Sequence, residues 1–258
     1  MITVVSKCKN ESKNISQMIL SVHGFADRVL IVDDSSEDDT VAIARSLGAH
    51  VLTAEVHNGF IDLLDKQGFL AVDNGWILRM DADERLTPEL AEKLYKLSKI
   101  ESVDGVVFAR LNIMFGKSLR HGGWFESNRM GFFRSESWNR DWKCEIHSQV
   151  PVNGRIRVIP KNEAHMIHDD YQNVRQFIER TLYRYSEVES RERVVKFRSW
   201  QLLYRPSRKF FGRFFLRHGF KDGLHGLVIA LLLAIYECLI LLQVWDRQKG
   251  ISHENSDD

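Results

Sequence analysis

The first half of the chain alternates short apolar runs with segments of helical periodicity. Five apolar runs rich in β-branched residues predict buried strands: ITVVS, RVLIVDD, HVLTAE, WILRMDADE and GVVFAR. Between them, apolar residues recur three and four positions apart, which predicts helices, and Thr87 followed by Pro88 marks the start of one helix. This alternation favours an α/β fold with a mostly parallel, Rossmann-like sheet and helices on both faces.

Polar side chains follow three of the predicted strands at the point where each strand ends. They are Lys9, Asn10 and Glu11 after the first strand, Asp33 and Asp34 after the second, and Asp81, Asp83 and Glu84 after the fourth. Ligands of such sheets bind at the carboxyl ends of the strands, so Asp33, Asp81 and Asp83 are expected to form a site. Asp34 and Asp38 fit the caps and turns that Asp commonly makes.

The regular alternation ends after Arg110. Residues 120–154 are rich in Gly, Trp, Arg and His, and long irregular stretches in compact domains are usually functional or disordered. The aromatic content argues against disorder, so this segment is expected to carry functional loops. A further helix is predicted from Asn173, with Val174, Phe177 and Ile178 on its apolar face.

The last third of the chain combines a basic, aromatic stretch with a long apolar run. Residues 196–221 contain eight Lys and Arg and no acidic residue, and residues 226–245 are almost entirely apolar. About 20 apolar residues suffice to span a bilayer, but Glu237 in mid-run would cost roughly 2.5–3.5 kcal/mol there. We therefore expect residues 196–245 to dock on a membrane surface, with a spanning helix and a buried core helix as the alternatives.

Composition sets limits on the class of protein. The chain has 258 residues, 44% hydrophobic and 28% charged, with a net charge of +1, which indicates no nucleic-acid partner. Its three cysteines lie far apart, which indicates a reducing compartment and no cysteine metal site. No secretory signal is visible, so at least the first two thirds are expected to be cytosolic. The expected divisions are an α/β domain at 1–170, a helical membrane-associating region at 171–250 and a disordered tail at 251–258.

An ordered set of motifs resembles the family-2 glycosyltransferases with the A-type nucleotide-sugar fold. The matching stretches are KNE, IVDDSSEDDT, NGF, WILRMDADE, GGW, IH and LRHGFKDGLHGLVIALLLAIYE. The C-terminal stretch is similar to that of the bacterial lipopolysaccharide-core β-glycosyltransferases. The resemblance implies an inverting enzyme that moves a sugar, with glucose as one candidate, from a nucleotide donor that we expect to be UDP-linked.

The resemblance also implies roles for residues at the strand ends. Glu11 and Asp33 would line the pocket for the base and ribose, and Asp81 would contact the ribose or a metal. Asp83 would bind Mg²⁺ or Mn²⁺ bridging the diphosphate, because hard divalent ions prefer carboxylate and phosphate oxygens. Lys66 would contact a phosphate, although a solvated helix lysine fits its position as well.

The catalytic base is where this chain departs from the family pattern. The relatives have HE at a position where this chain has His147 followed by Ser148. If the segment is extended, Glu145 and His147 project to the same face, so either could remove the acceptor proton, and Asp141 is the next carboxylate. Glu145 could equally be a surface residue.

Four further residues are assigned by the resemblance. Trp124 would stack on the acceptor sugar or sit in the core, and Arg129 would contact the acceptor. His165 and His168 would complete the metal shell, touch the diphosphate or serve the structure only.

Three functions follow from these residues. The first is a glycosyltransferase that acts on a lipid-linked glycan at the cytoplasmic face of a bacterial inner membrane. The second is a transferase that loads a sugar onto polyprenyl phosphate. The third is a non-catalytic membrane scaffold that kept the fold, which the missing Glu after His147 suggests and the intact Asp81 and Asp83 oppose.

Overall fold

The computed structural model describes residues 1–54, 64–143, 149–193 and 196–254. The chain forms two compact units, here called the N-terminal and C-terminal units. The N-terminal unit contains Met1–Leu111 and Glu126–His168, and the C-terminal unit contains Asn112–Phe125 and Asp169–Asp258. The segment Asn112–Phe125 therefore belongs with the C-terminal helices although it lies inside the predicted α/β domain.

Within the described residues, ten strands form one sheet. They are β1 (Ile2–Cys8), β2 (Arg28–Asp33), β3 (His50–Thr53), β4 (Trp76–Asp81), β5 (Glu84–Arg85), β6 (Gly105–Met114), β7 (Lys117–Ser118), β8 (Ser127–Arg134), β9 (Ile156–Val158) and β10 (His165–Tyr171). The order is β3-β2-β1-β4-β8-β6-β10-β5, with β7 and β9 also paired to β6. The predicted α/β fold class is confirmed.

The sheet is mixed, with most of its parallel pairing on one side and β9 paired in parallel with β6 on the other. β1 pairs in parallel with β2 and β4, and β2 pairs in parallel with β3. β8 lies antiparallel between β4 and β6, and β5 pairs antiparallel with β10. β8 lies in the segment that is predicted from the sequence to form loops. Polar residues and Gly131 interrupt the apolar pattern of β8, so periodicity does not predict a strand there. A Cβ on Gly131 would overlap the Phe108 ring, so packing requires glycine there.

Helices cover both faces of the sheet in the N-terminal unit. They are α1 (Ile15–Ser21), α2 (Thr40–Ser46), α3 (Leu64–Leu70) and α4 (Pro88–Ser98). One core cluster joins Ile15, Leu90 and Leu78, and a second on the alternate strand positions joins Phe69 and Ile77. The predicted cap of α4 is confirmed, since the Thr87 hydroxyl accepts a hydrogen bond from the Leu90 N–H at 3.3 Å.

The C-terminal unit is mainly helical. Its helices are α5 (Val174–Phe177), α6 (Ser186–Glu192), α7 (Gln201–Phe211) and α8 (Leu224–Glu254), with π turns at Ile178–Tyr185 and Gly212–Leu216 and a 3-10 turn at Gly219–Asp222. The Asn173 side chain caps α5 by accepting from the Gln176 N–H at 3.0 Å, as the sequence pattern predicts. Phe177 and Leu182 pack against Ile229, Leu232 and Leu233 of α8 in one core cluster. α8 continues to Glu254, so four residues of the predicted tail are helical.

Helix α8 is apolar around its whole circumference but is only half buried. Residues Leu224–Gly250 are long and apolar enough to cross a bilayer, and half of that apolar window is buried inside the protein. The exposed apolar side chains recur at helical spacing along one face: Leu224, Leu231, Ile235, Leu242 and Trp245. One face therefore serves the core of the C-terminal unit and the opposite face is open to a partner or a lipid surface.

Glu237 on α8 is not exposed to an aqueous interface, which corrects the reason given for it from the sequence. Its side chain is buried, and it accepts hydrogen bonds from both terminal nitrogens of Arg193 at 2.6 and 3.0 Å. An ion pair within the protein therefore compensates for this carboxylate in an apolar helix.

Candidate active site

The carboxyl ends of β1 and β4 bring a lysine and an aspartate together. Lys7 and Asp81 are register partners on these neighbouring strands. The Lys7 Nζ lies 2.9 Å from Asp81 Oδ1 and 3.1 Å from Asp65 Oδ2, and Lys7 and Asp65 are both buried. Asp65 also pairs with Arg79 at 2.5 Å. The edge of the sheet predicted to bind a ligand thus carries buried, mutually compensating charges.

Two arginines from the antiparallel strands complete this cluster. Arg129 on β8 contacts the Glu84 carboxylate and lies 3.2 Å from Asp81 Oδ2. Arg110 on β6 lies 3.1 Å from Glu84 Oε1 and 3.6 Å from Asp81 Oδ2. Glu84 also accepts a hydrogen bond from the Asp81 N–H at 2.8 Å, which fixes the turn after β4. Four cations therefore surround the acidic residues that end β4.

The cations keep these carboxylates ionised in spite of burial. Burial alone would raise the pKa of Asp81, but the charges of Lys7 and Arg129 hold it well below its usual range. The pKa of Arg129 is raised, because the attraction of Glu84 and Asp81 outweighs the effect of its burial. The formal charge of the whole cluster is zero. It contains four acids and four cations: Asp65, Asp81, Asp83 and Glu84, and Lys7, Arg79, Arg110 and Arg129.

Asp83 lies beside a histidine from a different strand. The Asp83 Oδ1 is 3.4 Å from His168 Nε2, and both side chains are about nine-tenths buried. His168 reaches this position because β10 pairs with β5, where His168 is the register partner of Glu84. This contact brings one of the three acids that end WILRMDADE to within ion-pair distance of a histidine.

Asp83 and His168 fit a divalent cation as two of its ligands. Mg²⁺ and Mn²⁺ commonly take one or two protein ligands and complete their shell with phosphate oxygens and water. Two donors about 3 Å apart can share one such ion at metal–ligand distances of roughly 2.1 Å. The described part of the chain contains no group of three or more His, Cys, Asp or Glu arranged to hold a metal. A metal here would therefore depend on the donor's diphosphate for the rest of its ligands.

The predicted base and ribose residues lie at the end of β2 and in the loop after β1, in segments that hydrogen bond to each other. Asp33 is buried and accepts from the Ser36 N–H and hydroxyl at 2.9 and 2.5 Å. The Glu11 N–H donates to the Thr40 hydroxyl at 2.7 Å, and the Glu11 carboxylate accepts from the Asn14 amide at 2.7 Å. The loop after β1 is thus fixed to the loop after β2 at the same edge of the sheet.

Of the neighbouring acids, Asp38 accepts hydrogen bonds of the turn type expected from the sequence, whereas Asp34 forms an ion pair. Asp34 pairs with Lys9 at 2.9 Å. Asp38 accepts from the N–H groups of Ser12 and Thr40 at 3.1 and 3.0 Å. Hydrogen bonds from the Thr40 and Ser12 side chains, together with those from the N–H groups, outweigh the effect of burial and lower the pKa of Asp38 to about 2.

Lys66 and Arg129 have protein partners instead of the ligands expected for them. The Lys66 Nζ donates to the Trp142 carbonyl at 3.1 Å. Arg129 is 5% exposed and its guanidinium is held by Glu84 and Asp81, so it orients carboxylates and is not presented to an acceptor.

Trp124 belongs to the C-terminal unit, where it is half-buried. The Arg213 guanidinium lies over its ring at 5.3 Å. Asp141 is exposed, and Glu145 and His147 lie outside the described residues.

Four residues of the cluster were not singled out from the sequence: Lys7, Asp65, Arg79 and Arg110. A signal for two of them is present, since Lys7 and Arg79 interrupt the apolar strands ITVVSKC and WILRMD. A charge inside a buried strand needs a buried partner, so such a position marks an ion-pair network.

The fold, with charged residues at the carboxyl ends of its parallel strands, is that of an α/β protein that binds its ligand at this edge of the sheet. The model of the Glycosyl transferase family 2 matches residues 3–156. The chain belongs to this family, and the resemblance inferred from its motifs is confirmed.

Relatives of nearly the same length are also glycosyltransferases. An uncharacterized glycosyltransferase of Rickettsia conorii is 26% identical over 96% of this chain and 90% of its own length. The lipopolysaccharide core biosynthesis glycosyltransferase LpsC of Rhizobium meliloti is 24% identical over 97% of this chain and 94% of its own length.

Solved structures overlap with less of the chain. Glucosyl-3-phosphoglycerate synthase from Mycobacterium tuberculosis, crystallised with Mn²⁺, UDP and glucosyl-3-phosphoglycerate, is 22% identical, with a TM-score of 0.36 over 43% of this chain and 44% of its own. Mannosyl-3-phosphoglycerate synthase from Rubrobacter xylanophilus is 23% identical, with a TM-score of 0.38 over 43% of this chain and 40% of its own. Scores this low carry no conclusion about the site.

Proposed function

We propose that this glycosyltransferase moves a sugar, with inversion, from a UDP-linked donor to a lipid-linked glycan of the lipopolysaccharide core or a related surface polysaccharide. Membership of family 2 supports glycosyl transfer, and the similarity to LpsC along nearly the whole chain supports this acceptor class. The observation that carries the catalytic proposal is Asp83 beside His168 at the carboxyl edge of the sheet.

In this proposal the N-terminal unit binds the nucleotide end of the donor. Asp33, the last residue of β2, and Glu11, in the loop after β1, lie where a base and ribose would bind. Asp83 and His168 would hold Mg²⁺ or Mn²⁺, which would neutralise the charge that grows on the departing nucleoside diphosphate. Asp81, the second predicted metal ligand, is paired with Lys7 and Arg129 and would have to loosen one of these contacts to reach the ion.

The balanced cluster has a positioning role in this reaction. Arg129 and Arg110 hold Glu84, and Glu84 holds the Asp81 N–H, so the turn that carries Asp83 is fixed before a ligand binds. Fixed charges cost no reorganisation when the bond to the leaving group breaks.

The remaining chemistry is removal of a proton from the acceptor. The acceptor hydroxyl oxygen bonds to the anomeric carbon, the bond from that carbon to the diphosphate breaks, and the hydroxyl proton passes to the base. Glu145 and His147 stay the predicted bases. Glu145→Gln is expected to lower turnover about 10²–10⁴-fold with donor affinity nearly unchanged. A change within severalfold would move the role to His147 or Asp141, and His147→Ala decides between these two.

The C-terminal unit would bring the enzyme to its acceptor at the cytoplasmic face of the inner membrane. The exposed apolar face of α8, together with exposed Leu203, Phe211, Phe215 and Leu216, offers apolar area to a lipid surface. Aromatic and basic side chains are common at the headgroup level of membranes. Trp124 remains the proposed stacking residue for the acceptor sugar.

The test is nucleotide-sugar turnover by the purified full-length chain. UDP release from UDP-sugars is measured with Mn²⁺ and with EDTA, first without acceptor and then with lipid-linked core glycan. We expect metal-dependent UDP release that the glycan accelerates. Absence of turnover with every nucleotide sugar would contradict the proposal that the protein is an enzyme. Full activity in EDTA would contradict the proposed metal dependence. Transfer only to polyprenyl phosphate would show that this lipid, and not a lipid-linked glycan, is the acceptor.

A further inference from the structure

A positively charged pocket lies in the C-terminal unit and has no role in the proposed transfer reaction. Its volume is about 420 Å³ and its floor and walls come from the end of α6, from α7 and from α8. Four cationic side chains line it, Arg193, Arg205, Arg208 and Lys209, with Glu237 as the single lining carboxylate. The lining therefore carries a formal excess of three positive charges.

One of the four cations, Arg193, forms ion pairs with both acids near the pocket, Glu237 and Glu189. Arg193 forms both hydrogen bonds to Glu237 and pairs in addition with Glu189 at 2.8 Å, which lowers the local excess to two. Arg205 lies 3.7 Å from Glu237, a longer contact. Among the residues that the structure describes, Arg208 and Lys209 form no ion pair.

The environment of Lys209 shows that the excess charge is not relieved by solvent. Burial lowers the pKa of Lys209, and the nearby charge of Arg213 lowers it further, while Glu237 and Glu189 offset only part of this shift. A half-buried ammonium beside other cations destabilises the empty pocket. A bound anion would remove this repulsion, so the pocket gains more from an anion than an exposed basic surface does.

The geometry of the lining selects among anions. Arg guanidinium groups match the oxygens of phosphate in two parallel hydrogen bonds, and several of them together favour a group with two negative charges. The exposed rings of Trp200 and Tyr204 also line the pocket, with their centroids 5.5 Å apart. Trp and Tyr beside basic side chains are typical of sites that bind charged groups at the headgroup level of a membrane.

We propose that this pocket is a binding site for a phosphoryl group, with Arg208 and Lys209 as its principal contacts and Arg205 beside them. The volume falls in the range of small-ligand sites, about 300–1,000 Å³, so it holds a diphosphate or a phosphorylated headgroup and not only a single phosphate. The phosphoryl group can come from a membrane lipid or from a soluble phosphate ester, and both present the same oxygens to the pocket.

The experiment uses the full-length chain in EDTA, with inorganic diphosphate and lipid vesicles as the two probes. Diphosphate affinity is measured by titration calorimetry, and vesicle binding by co-sedimentation with phosphatidylcholine vesicles with and without phosphatidic acid. The double variant Arg208→Gln/Lys209→Gln is compared with Arg198→Gln/Lys221→Gln, which removes the same charge from exposed positions of residues 196–221 outside the pocket lining. The single variant Lys209→Met is measured as well, in case the double variant does not fold. Methionine keeps an apolar side chain of similar length.

We expect the pocket variants to weaken binding of at least one probe about tenfold or more, because they lose charge-assisted hydrogen bonds to the phosphoryl oxygens. The control pair should change binding by no more than about twofold to threefold, because exposed charges act on the probe only through screened attraction. If the pocket variants weaken binding of the vesicles but not of diphosphate, the pocket binds a lipid headgroup. If they weaken binding of diphosphate, a soluble phosphate compound is enough to fill the pocket. Equal effects of the two variant pairs, or no binding of either probe by the wild type, would overturn the proposal. UDP release from UDP-sugars without acceptor, measured in parallel, tests the proposed function separately, because the predicted donor site lies in the N-terminal unit and the pocket in the C-terminal unit.

Discussion

The two units of this glycosyltransferase both bury carboxylates beside arginine, but they balance charge in different ways. In the N-terminal unit three acids after β4 and Asp65 on α3 are balanced by four cations, and Glu84 and Arg129 are almost completely buried. In the C-terminal pocket one lining carboxylate, Glu237, faces four cations. The first cluster is neutral by itself, whereas the second carries a surplus of positive charge.

This difference separates a site that is fixed in advance from one that is completed by its ligand. A neutral network of buried ion pairs holds its members in one geometry, and breaking it leaves an uncompensated buried charge. A cationic pocket is strained by repulsion until an anion enters. We therefore expect substitutions in the first cluster to act on stability and catalysis, and those in the second to act on binding.

The largest effect is expected for Asp83→Ala, which removes the carboxylate that faces His168. UDP release should fall about 10²–10³-fold or more, because the charge on the leaving diphosphate is no longer neutralised. The protein should still fold, with a lower thermal midpoint because a largely buried member of the balanced cluster is lost, and Glu92→Ala, at an exposed helix position of the same unit, is the matched control. Activity within severalfold of the wild type would show that Asp83 does not serve the leaving group.

The comparison of Arg129→Met with Arg193→Met tests the two charge balances directly. Arg129→Met leaves Glu84 with Arg110 alone and should cost about 3–5 kcal/mol of unfolding free energy. Arg193→Met should cost less, about 1–3 kcal/mol, because Arg205 remains 3.7 Å from Glu237. Thermal and urea unfolding measure both. Adding Glu84→Gln to Arg129→Met should recover part of the loss, and an equal or larger loss for Arg193→Met would break the comparison.

Acid should weaken the C-terminal unit through Glu237. Burial would raise the pKa of Glu237, but hydrogen bonds and charge from Arg193 lower it below its ordinary value of 4.5. A carboxylate with a depressed folded-state pKa contributes stability that is present above its unfolded pKa and is lost as pH falls through the folded value. Below about pH 4.5 the wild type should therefore lose stability faster than Glu237→Gln. Parallel slopes of thermal midpoint against pH would contradict this.

The smallest effect is expected on the exposed face of α8. Leu231→Ser/Ile235→Ser should weaken binding to anionic vesicles by about tenfold, since each side chain is about half exposed and loses part of its burial in lipid. Leu20→Ser/Leu70→Ser removes similarly exposed leucines from the N-terminal unit and should leave vesicle binding unchanged. Salt should weaken wild-type binding as it screens the basic stretch. Equal losses in the two double variants would show that this face does not meet the lipid.

The sequence determined the parts of this protein that depend on neighbours along the chain. Apolar runs placed β1, β2, β3 and β4, the Thr87–Pro88 signal placed the start of α4, and the acidic ends of strands indicated where a ligand would bind. These features could be predicted because strand alternation, helical spacing and caps are set by residues within about four positions of each other.

Only the tertiary structure decided which residue each charge meets. Asp81 and Arg129 are 48 positions apart, and Arg193 and Glu237 are 44 positions apart. Arg129 reaches Asp81 because β8 inserts antiparallel beside β4, and no local pattern encodes that insertion. Periodicity can show that a charge lies in an apolar element and needs a partner, but the partner is chosen by which strands and helices become neighbours when the chain folds.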